Sequence, residues 1–308
     1  MTGECEAVTA RLATTLRSSV NGDGGWGFVP GRTSRLEPTC WAVLALLDGG
    51  ATPEDDARVD AALAKMAGWQ RGDGLLSDMP AAPSNLAFNG LASVVIHRAL
   101  ATHRAAMPRQ APKADRLLSG ILATKGVRLE RSEHQRQDSQ LMGWPWNDRA
   151  FSWVEPTSWC LLGLKKAAAG PFRAGAAARL AEADRVLADR CCLSGGWNYG
   201  NSNVLGKELF PYVPTTALAL LALQNRRELP EVARSLAWLA GNWTREVSAM
   251  ASSLALMAMR LYGRPVDDLE RALCAHIAEA GLPGNLASSA LALYALTGSR
   301  HEHAALAL

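Results

Sequence analysis

Two glutamates occupy matching positions in this sequence and are its best candidates for chemistry. Glu37 opens the run EPTCWAVLALL and Glu155 opens EPTSWCLLGL, so each precedes a proline, a threonine and an apolar helix. A carboxyl group in such a place can donate or accept a proton, stabilise a cation or hold a hydroxylated ligand. Two interpretations stay open: the glutamates line a cavity, or they only mark a helix start.

The prolines predict where these helices begin. Proline is favoured at the first helical position and disfavours helical backbone in the residue before it, so Glu37 and Glu155 are predicted to be N-cap residues, followed by Pro38 and Pro156. The helix dipole would lower the pKa of both carboxyl groups, whereas burial among aromatic rings would raise it. Two carboxyl groups facing the same space could divide acid and base roles.

Aromatic side chains gather near both glutamates and could line a ligand cavity, since ring faces stabilise carbocations and quaternary ammonium groups. The predicted lining residues are Trp41, Trp146, Trp153, Trp159, Phe151, Tyr199, Phe210 and Tyr212. Arg35 and Arg149, in the loops before two apolar helices, could bind an anion, although solvated loop charges are the simpler interpretation. Trp26, Trp144 and Trp197 share one turn position in three copies of a repeat and are expected to be structural.

The elements that position these residues repeat along the chain. The turns GGWGF, GWPW and SGGWNYG each precede a Pro-Thr helix start, while the degenerate copy GDGLL has Leu76 in the tryptophan position. Two weaker copies contain Trp243 and Gly281. Each of the six units joins an amphipathic helix, through a Gly-rich turn, to a helix that is apolar nearly all round.

This pattern predicts an all-α fold, an α6/α6 barrel (α/α toroid) of six helix-pair repeats. A helix that is apolar on every side is normally buried on every side, so the apolar helices form an inner ring within an amphipathic belt. Residues 1–308 are predicted to be a single domain, with residues 103–113 as a surface connection. If the inner helices run parallel, both carboxylates could face one mouth of the central cavity.

The Gly22–Gly27 turn, followed by Pro-Thr and an apolar helix, resembles the prenyltransferase/squalene-oxidase repeat over about residues 5 to 297. That repeat builds squalene-hopene cyclases, other class II terpene cyclases and protein prenyltransferase β subunits. The resemblance implies an α6/α6 barrel and a terpene cyclase-like enzyme that acts on an isoprenoid or similarly apolar substrate. Aligned on the threonine, Glu37 and Glu155 fall where the cyclases keep their proton-donating aspartate.

The chain also departs from both branches of this family. Pro38 and Pro156 replace the aspartate that follows the catalytic acid in the cyclases, and no Asp-x-Asp-Asp motif occurs. The zinc ligands of the prenyltransferases have no counterpart, so neither a metal nor a cofactor is predicted. The alternative function is a non-catalytic toroid that binds a ligand or protein. A third is a glycan-active enzyme with paired carboxylates.

Composition narrows the classes of partner. The net charge is only +3 and the basic residues are scattered, so no nucleic-acid surface is predicted. No apolar run approaches the roughly 20 residues of a membrane span, and no signal peptide is visible, which predicts a cytoplasmic protein. The six cysteines show no C-x-x-C spacing and are predicted to be reduced thiols. The expected partner is a small apolar molecule, with a protein partner or homodimer left open.

Overall fold

The computed structural model describes residues 3–49, 52–103, 107–131, 136–167, 173–298 and 302–308. Within these ranges the outer helices are α1 (Gly3–Ser18), α3 (Pro53–Gly68), α5 (Met107–Ala123), α7 (Arg173–Arg190), α9 (Pro230–Asn242) and α11 (Asp267–Ala280). The inner helices are α2 (Leu36–Asp48), α4 (Leu86–Thr102), α6 (Val154–Ala167), α8 (Val213–Ala222), α10 (Ala249–Leu261) and α12 (Leu286–Leu296). A hairpin of β1 (Asn203–Val204) and β2 (Lys207–Glu208) precedes α8, and a 3₁₀ helix, Trp243–Arg245, precedes α10. None of the helices described is both long and apolar enough to cross a membrane.

The inner helices form a closed ring. They contact one another in the order α2, α4, α6, α8, α10 and α12, and α12 packs against α2. Each outer helix packs against an inner one, and α1 packs against both α11 and α12. All ten residues of α8 are buried, as its uniformly apolar sequence predicts. The predicted all-α toroid of six helix pairs is therefore confirmed.

A tryptophan in the turn of three repeats ties each outer helix to its inner helix. The backbone N–H of Trp26 donates to the Thr39 hydroxyl at 3.0 Å, and its indole N–H donates to the Leu16 carbonyl at 2.8 Å. Trp144 and Trp197 make the equivalent pairs of bonds. All three side chains are fully buried, so their structural role is confirmed.

In the fourth repeat, formed by α7 and α8, the threonine that bonds the turn tryptophan comes one residue after the Pro-Thr motif. The backbone N–H of Trp197 donates to Thr216 at 2.9 Å, so Thr216 is the counterpart of Thr39. Thr215 instead donates its hydroxyl proton to the Trp197 carbonyl at 2.6 Å. As a result Pro214, the second residue of α8, takes the helix position that a glutamate has in α2 and α6.

Neighbouring repeats are joined at the mouth of the barrel. In five inner helices the first backbone N–H donates to an acceptor in the loop of the next repeat, which satisfies a donor that the helix itself leaves unpaired. The donor and acceptor pairs are Leu36 with Asp78 Oδ2 (2.7 Å), Leu86 with the Trp146 carbonyl (2.9 Å), Val154 with the Tyr199 carbonyl (2.9 Å), Val213 with Glu246 Oε1 (2.8 Å) and Leu286 with the Phe28 carbonyl (2.7 Å). The last pair joins the sixth repeat to the first and closes the ring.

The two glutamates lie deeper in their helices than the prolines predict. Helix α2 begins at Leu36 and helix α6 at Val154, so Glu37 and Glu155 are second helical residues and the N-cap prediction is wrong. Each following proline is then the third residue, where the backbone N–H would lack a helical partner in any case. The absence of a backbone N–H on each proline therefore costs the helix no hydrogen bond.

Helix α5 is longer than the sequence predicts. It begins at Met107 and contains Pro112, so the predicted surface connection at 103–113 is wrong from residue 107 onward. Residues 104–106 lie outside the described ranges. Gln110 and Ala114 are buried against the barrel, and this packing outweighs the helix-breaking tendency of proline.

One pair of cysteines corrects the prediction of reduced thiols. Cys5 in α1 and Cys274 in α11 form a disulfide with a Cα–Cα distance of 5.3 Å, although 269 residues separate them in sequence. Closure of the ring places the first and last outer helices side by side, which no local spacing rule detects. The other cysteines, Cys40, Cys160, Cys191 and Cys192, are buried thiols.

The end of the barrel opposite the glutamates is closed by residues 302–308. Leu306 is fully buried, and its carbonyl accepts a hydrogen bond from Gln224 at 2.8 Å. Lys166, in the last turn of α6, donates to the Ala304 and Ala307 carbonyls. The central space is therefore approached from the end where the inner helices begin.

Candidate functional site

A small cavity lies where the inner helices begin, and all six of them contribute to it. Its volume is about 60 Å³. The lining residues are Glu37, Trp41, Phe88, Leu91, Glu155, Trp159, Tyr199, Pro214, Thr215, Leu218, Met250, Leu254 and Leu291. The prediction that both glutamates face one space therefore agrees with the geometry.

The lining follows a simple helical register. Glu37 and Trp41 lie four residues apart on α2, and Glu155 and Trp159 lie four apart on α6, so each pair shares one helix face. At the position of the two tryptophans, the other four inner helices carry leucine. These leucines are Leu91, Leu218, Leu254 and Leu291. Two tryptophans and four leucines thus form an apolar floor beneath the carboxyl groups.

The glutamates stand on helices that are separated by one helix, not on opposite sides of the ring. Both α2 and α6 pack against α4. The rings of Trp41 and Trp159 meet edge to face, with centroids 5.6 Å apart. At Gly90 of α4 a Cβ atom would lie 2.5 Å from the Cys160 backbone nitrogen, so glycine lets α6 approach closely.

Burial controls the protonation of Glu37. It raises the pKa of this carboxyl group to about 7, the negative charge of Glu155 adds to the rise, and the Arg35 guanidinium opposes it. A helix N-terminus would lower the pKa, so burial outweighs the helix dipole here. A large share of Glu37 is therefore the neutral acid near neutral pH.

Glu155 has a different environment. Burial also raises the pKa of its carboxyl group, but a hydrogen bond from the Trp146 side chain lowers it. The only side-chain donor of tryptophan is the indole N–H, which stabilises a carboxylate rather than the neutral acid. The pKa of Glu155 nevertheless stays above its ordinary value, with Trp146 opposing the rise.

Five aromatic rings form a continuous chain beside the cavity. Centroid distances are 4.4 Å from Phe151 to Trp153, 4.9 Å from Trp153 to Trp146, 5.8 Å from Trp146 to Tyr199 and 5.7 Å from Tyr199 to Tyr212. Tyr199 also lines the cavity, whereas the other four lie beside it. The predicted aromatic residues thus divide into a lining set and an outer set.

The two predicted arginines and Phe210 lie outside the cavity lining. Arg35 pairs with Asp78, with Nε 2.6 Å from Oδ2, and its guanidinium lies over the Phe28 ring. Arg149 is exposed in a turn with a positive φ of 66°. Phe210 is 77% exposed. An anionic group in the cavity therefore has no unpaired arginine in the lining to bind it.

Sequence reasoning missed eight of the lining residues and the cap from Asp78. The missed lining residues are Phe88, Leu91, Pro214, Thr215, Leu218, Met250, Leu254 and Leu291. A usable signal was present, because most of them occupy the second or sixth position of an inner helix. Counting from each helix start, rather than from the Pro-Thr motif, would have found them.

Comparison with known proteins supports the fold. No protein-family model and no curated protein matches this sequence. The GH76 α-mannanase of Bacteroides thetaiotaomicron matches with a TM-score of 0.66 at 10% identity, over 97% of this chain and 96% of that one. An inactive variant of the Salegentibacter α-1,6-mannanase, in complex with α-1,6-mannotriose, matches at 0.64 and 8% identity, over 96% and 99%. The type II terpene cyclase MstE from Scytonema matches at 0.60 and 15% identity, over 96% and 98%.

At these identities the likeness shows the fold alone. The α/α toroid is shared by mannanases and a terpene cyclase, so it is compatible with more than one chemistry. The side chains in the cavity therefore distinguish between these chemistries.

Proposed function

We propose that this protein is an acid–base enzyme that cyclises or isomerises an isoprenoid, or a similarly apolar alkene, at the mouth of its barrel. One observation carries the proposal. Two mostly buried carboxyl groups, Glu37 and Glu155, face one cavity whose other lining residues are aromatic or aliphatic, except for Thr215 and the Tyr199 hydroxyl. Such a site suits a reaction in which a proton is moved but few polar groups need to be recognised.

Glu37 would act first, as the acid. Protonation of an alkene needs a neutral carboxylic acid, and a pKa near 7 keeps much of Glu37 in that form. The π electrons of the alkene form a new C–H bond with the carboxyl proton. Glu37 becomes a carboxylate and the substrate becomes a carbocation.

The surrounding groups suit the cation that follows. Trp41 and Trp159 present aromatic rings to the cavity, and Glu155 would add a negative charge in its ionised form. A second alkene of the same substrate could attack the cation and form a carbon–carbon bond. Loss of a proton from the neighbouring carbon to Glu155 then forms the product alkene. The overall change is an isomerisation, and proton exchange with water at the open mouth resets both carboxyl groups.

A glycan hydrolase is the second candidate, because two mannanases share the fold and glycosidases use paired carboxylates. The residues that line the cavity argue against a glycan hydrolase. Sugar hydroxyls need hydrogen-bond partners, and the Thr215 hydroxyl is already donated to the Trp197 carbonyl. Release of sugar from α-1,6-mannan, lost in both glutamate variants, would favour this candidate.

A binding protein without chemistry is the third candidate, and the absence of an Asp-x-Asp-Asp motif favours it. A non-catalytic toroid predicts stoichiometric binding of an apolar ligand without turnover. Turnover of any candidate substrate would contradict it.

The deciding experiment is incubation of the purified protein with linear polyprenyl alcohols and diphosphates, followed by mass-spectrometric product analysis. We expect cyclised or isomerised product, lost in Glu37→Gln and reduced in Glu155→Gln. The matched control is Glu231→Gln, because Glu231 is also a second helical residue but lies on the outer helix α9. Turnover that is unchanged in both cavity variants would remove these residues from the mechanism.

A further inference from the structure

The size of the cavity limits what can enter it. Its volume of about 60 Å³ lies well below the roughly 300–1,000 Å³ of pockets that enclose a whole ligand. The floor of Trp41, Trp159 and four leucines is buried, and residues 302–308 close the far end. The rest of any longer substrate therefore has to lie outside the cavity.

The chain of five rings offers a surface for that remainder. We call it the aromatic ledge: Phe151, Trp153, Trp146, Tyr199 and Tyr212. Its accessible members, Phe151, Tyr199 and Tyr212, are 37%, 41% and 43% exposed, although large aromatic side chains are usually buried. Because Tyr199 belongs to both the ledge and the cavity lining, the two surfaces are continuous.

The ledge is held in place by backbone hydrogen bonds. Trp153 donates to the Trp144 carbonyl at 3.0 Å, and Tyr212 donates to the Trp197 carbonyl at 2.9 Å. The Tyr199 carbonyl accepts from Val154, the first residue of the helix that carries Glu155. A surface fixed in this way binds a ligand without first having to be ordered.

We propose that the aromatic ledge is a binding subsite for the body of a linear apolar chain whose terminal alkene enters the cavity between the two glutamates. This inference rests on the proposed function and names its substrate class: a linear polyprenyl-type chain bound end-on, rather than a molecule enclosed in the barrel.

The test is a series of binding measurements by calorimetry with geraniol, farnesol and geranylgeraniol. The full-length Glu37→Gln variant is used, so that no turnover interferes. We expect affinity to rise about tenfold with each added five-carbon unit, the factor expected for a chain buried on one side. In the same background, Phe151→Ala and Tyr212→Ala should flatten this rise, with the smallest loss of affinity for geraniol.

The control variant is Phe210→Ala, which removes an exposed ring two residues from Tyr212 and should leave the rise intact. Equal affinities across the series, a rise that persists in both ledge variants, or equal flattening by the control would overturn the inference. Failure of the proposed chemistry looks different. In that case length-dependent binding persists, but the wild-type protein converts none of the three alcohols.

Discussion

Helices α2 and α6 present nearly the same sequence to the cavity in different surroundings. Each carries Glu-Pro-Thr in its first turn and a tryptophan four residues after the glutamate. In each, the threonine accepts a hydrogen bond from the buried tryptophan of its own repeat. The motif therefore does not distinguish the two glutamates.

Their neighbours do distinguish them. Around Glu37 the cap on the helix is the Asp78 side chain, which also binds Arg35. Around Glu155 the cap is a backbone carbonyl and the carboxyl group receives the Trp146 hydrogen bond. The comparison teaches that a duplicated acid acquires a separate environment from the groups around it, and we propose Glu37 as the proton donor and Glu155 as its partner.

The largest expected effect is on turnover. Loss of a general acid typically lowers the rate by about 10²–10⁴-fold, so Glu37→Gln should reduce product formation by at least about a hundredfold. Glu155→Gln should cost less, on the order of tenfold, because water at the mouth can accept a proton in its place. Initial rates on the best polyprenyl substrate provide the comparison. Equal losses in both variants would contradict the division of roles.

The pH dependence of the rate sharpens the comparison. The acid Glu37 has to be protonated, so the rate should fall as the pH rises through about 7. Removal of the neighbouring negative charge in Glu155→Gln should lower the pKa of Glu37 and move this fall to lower pH. Trp146→Phe should raise the pKa of Glu155 by removing its hydrogen bond. Rates measured from pH 5 to 9 would show whether the fall in rate moves to lower pH. A fall at the same pH in Glu155→Gln and wild type would argue against electrostatic coupling between the two glutamates.

Stability should depend on Glu37 in the same pH range. Burial raises its folded pKa to about 7 from an ordinary value of 4.5, so the folded state binds more protons between these values. The free energy of unfolding therefore falls as the pH rises from 4.5 through 7. Glu37→Gln should be about 1–2 kcal/mol more stable than wild type at pH 8, after allowance for partial exposure, and similar at pH 4. Urea unfolding at both pH values measures this, with Glu231→Gln as control.

The smallest effect concerns the two helix caps. Asp78→Ala removes the acceptor of the Leu36 N–H and should lower the free energy of unfolding by about 1–2 kcal/mol. Tyr199→Phe keeps the backbone carbonyl that caps α6 and should change the free energy of unfolding by less than about 0.5 kcal/mol. A loss from Tyr199→Phe as large as that from Asp78→Ala would show that the caps do not differ in this way.

Much of the fold could be predicted from the sequence because the repeats carry it. The apolar helices, the tryptophan turns and the Pro-Thr helix starts were sufficient to predict the toroid. The matching positions of Glu37 and Glu155 at the starts of two inner helices led to the prediction that both carboxyl groups face one cavity. That residues 1–308 form a single domain stays a prediction. In the degenerate repeat, which has Leu76 in the tryptophan position, Asn89 takes the place of the threonine. Its side chain accepts from the Leu76 backbone N–H and donates to the Leu76 carbonyl. No sequence rule indicates this exchange, so only the presence of the repeat could be predicted.

The remaining features depend on contacts between distant residues. The disulfide joins helices that meet only when the ring closes, and Pro112 remains helical because α5 packs against the barrel. The protonation of Glu37 depends on how deeply its carboxyl group is buried, which periodicity does not report. The sequence therefore predicts which acids line one cavity but not how far the pKa of each is shifted.

The most direct test is infrared spectroscopy of the carboxyl groups in the wild-type protein, Glu37→Gln and Glu155→Gln, titrated from pH 5 to 9. We predict a protonated-carboxyl band that disappears with a midpoint near 7 in wild type. That band should be absent from Glu37→Gln and should shift to a lower midpoint in Glu155→Gln. A band that persists with an unchanged midpoint in Glu37→Gln would contradict the claim that Glu37 is the proton donor.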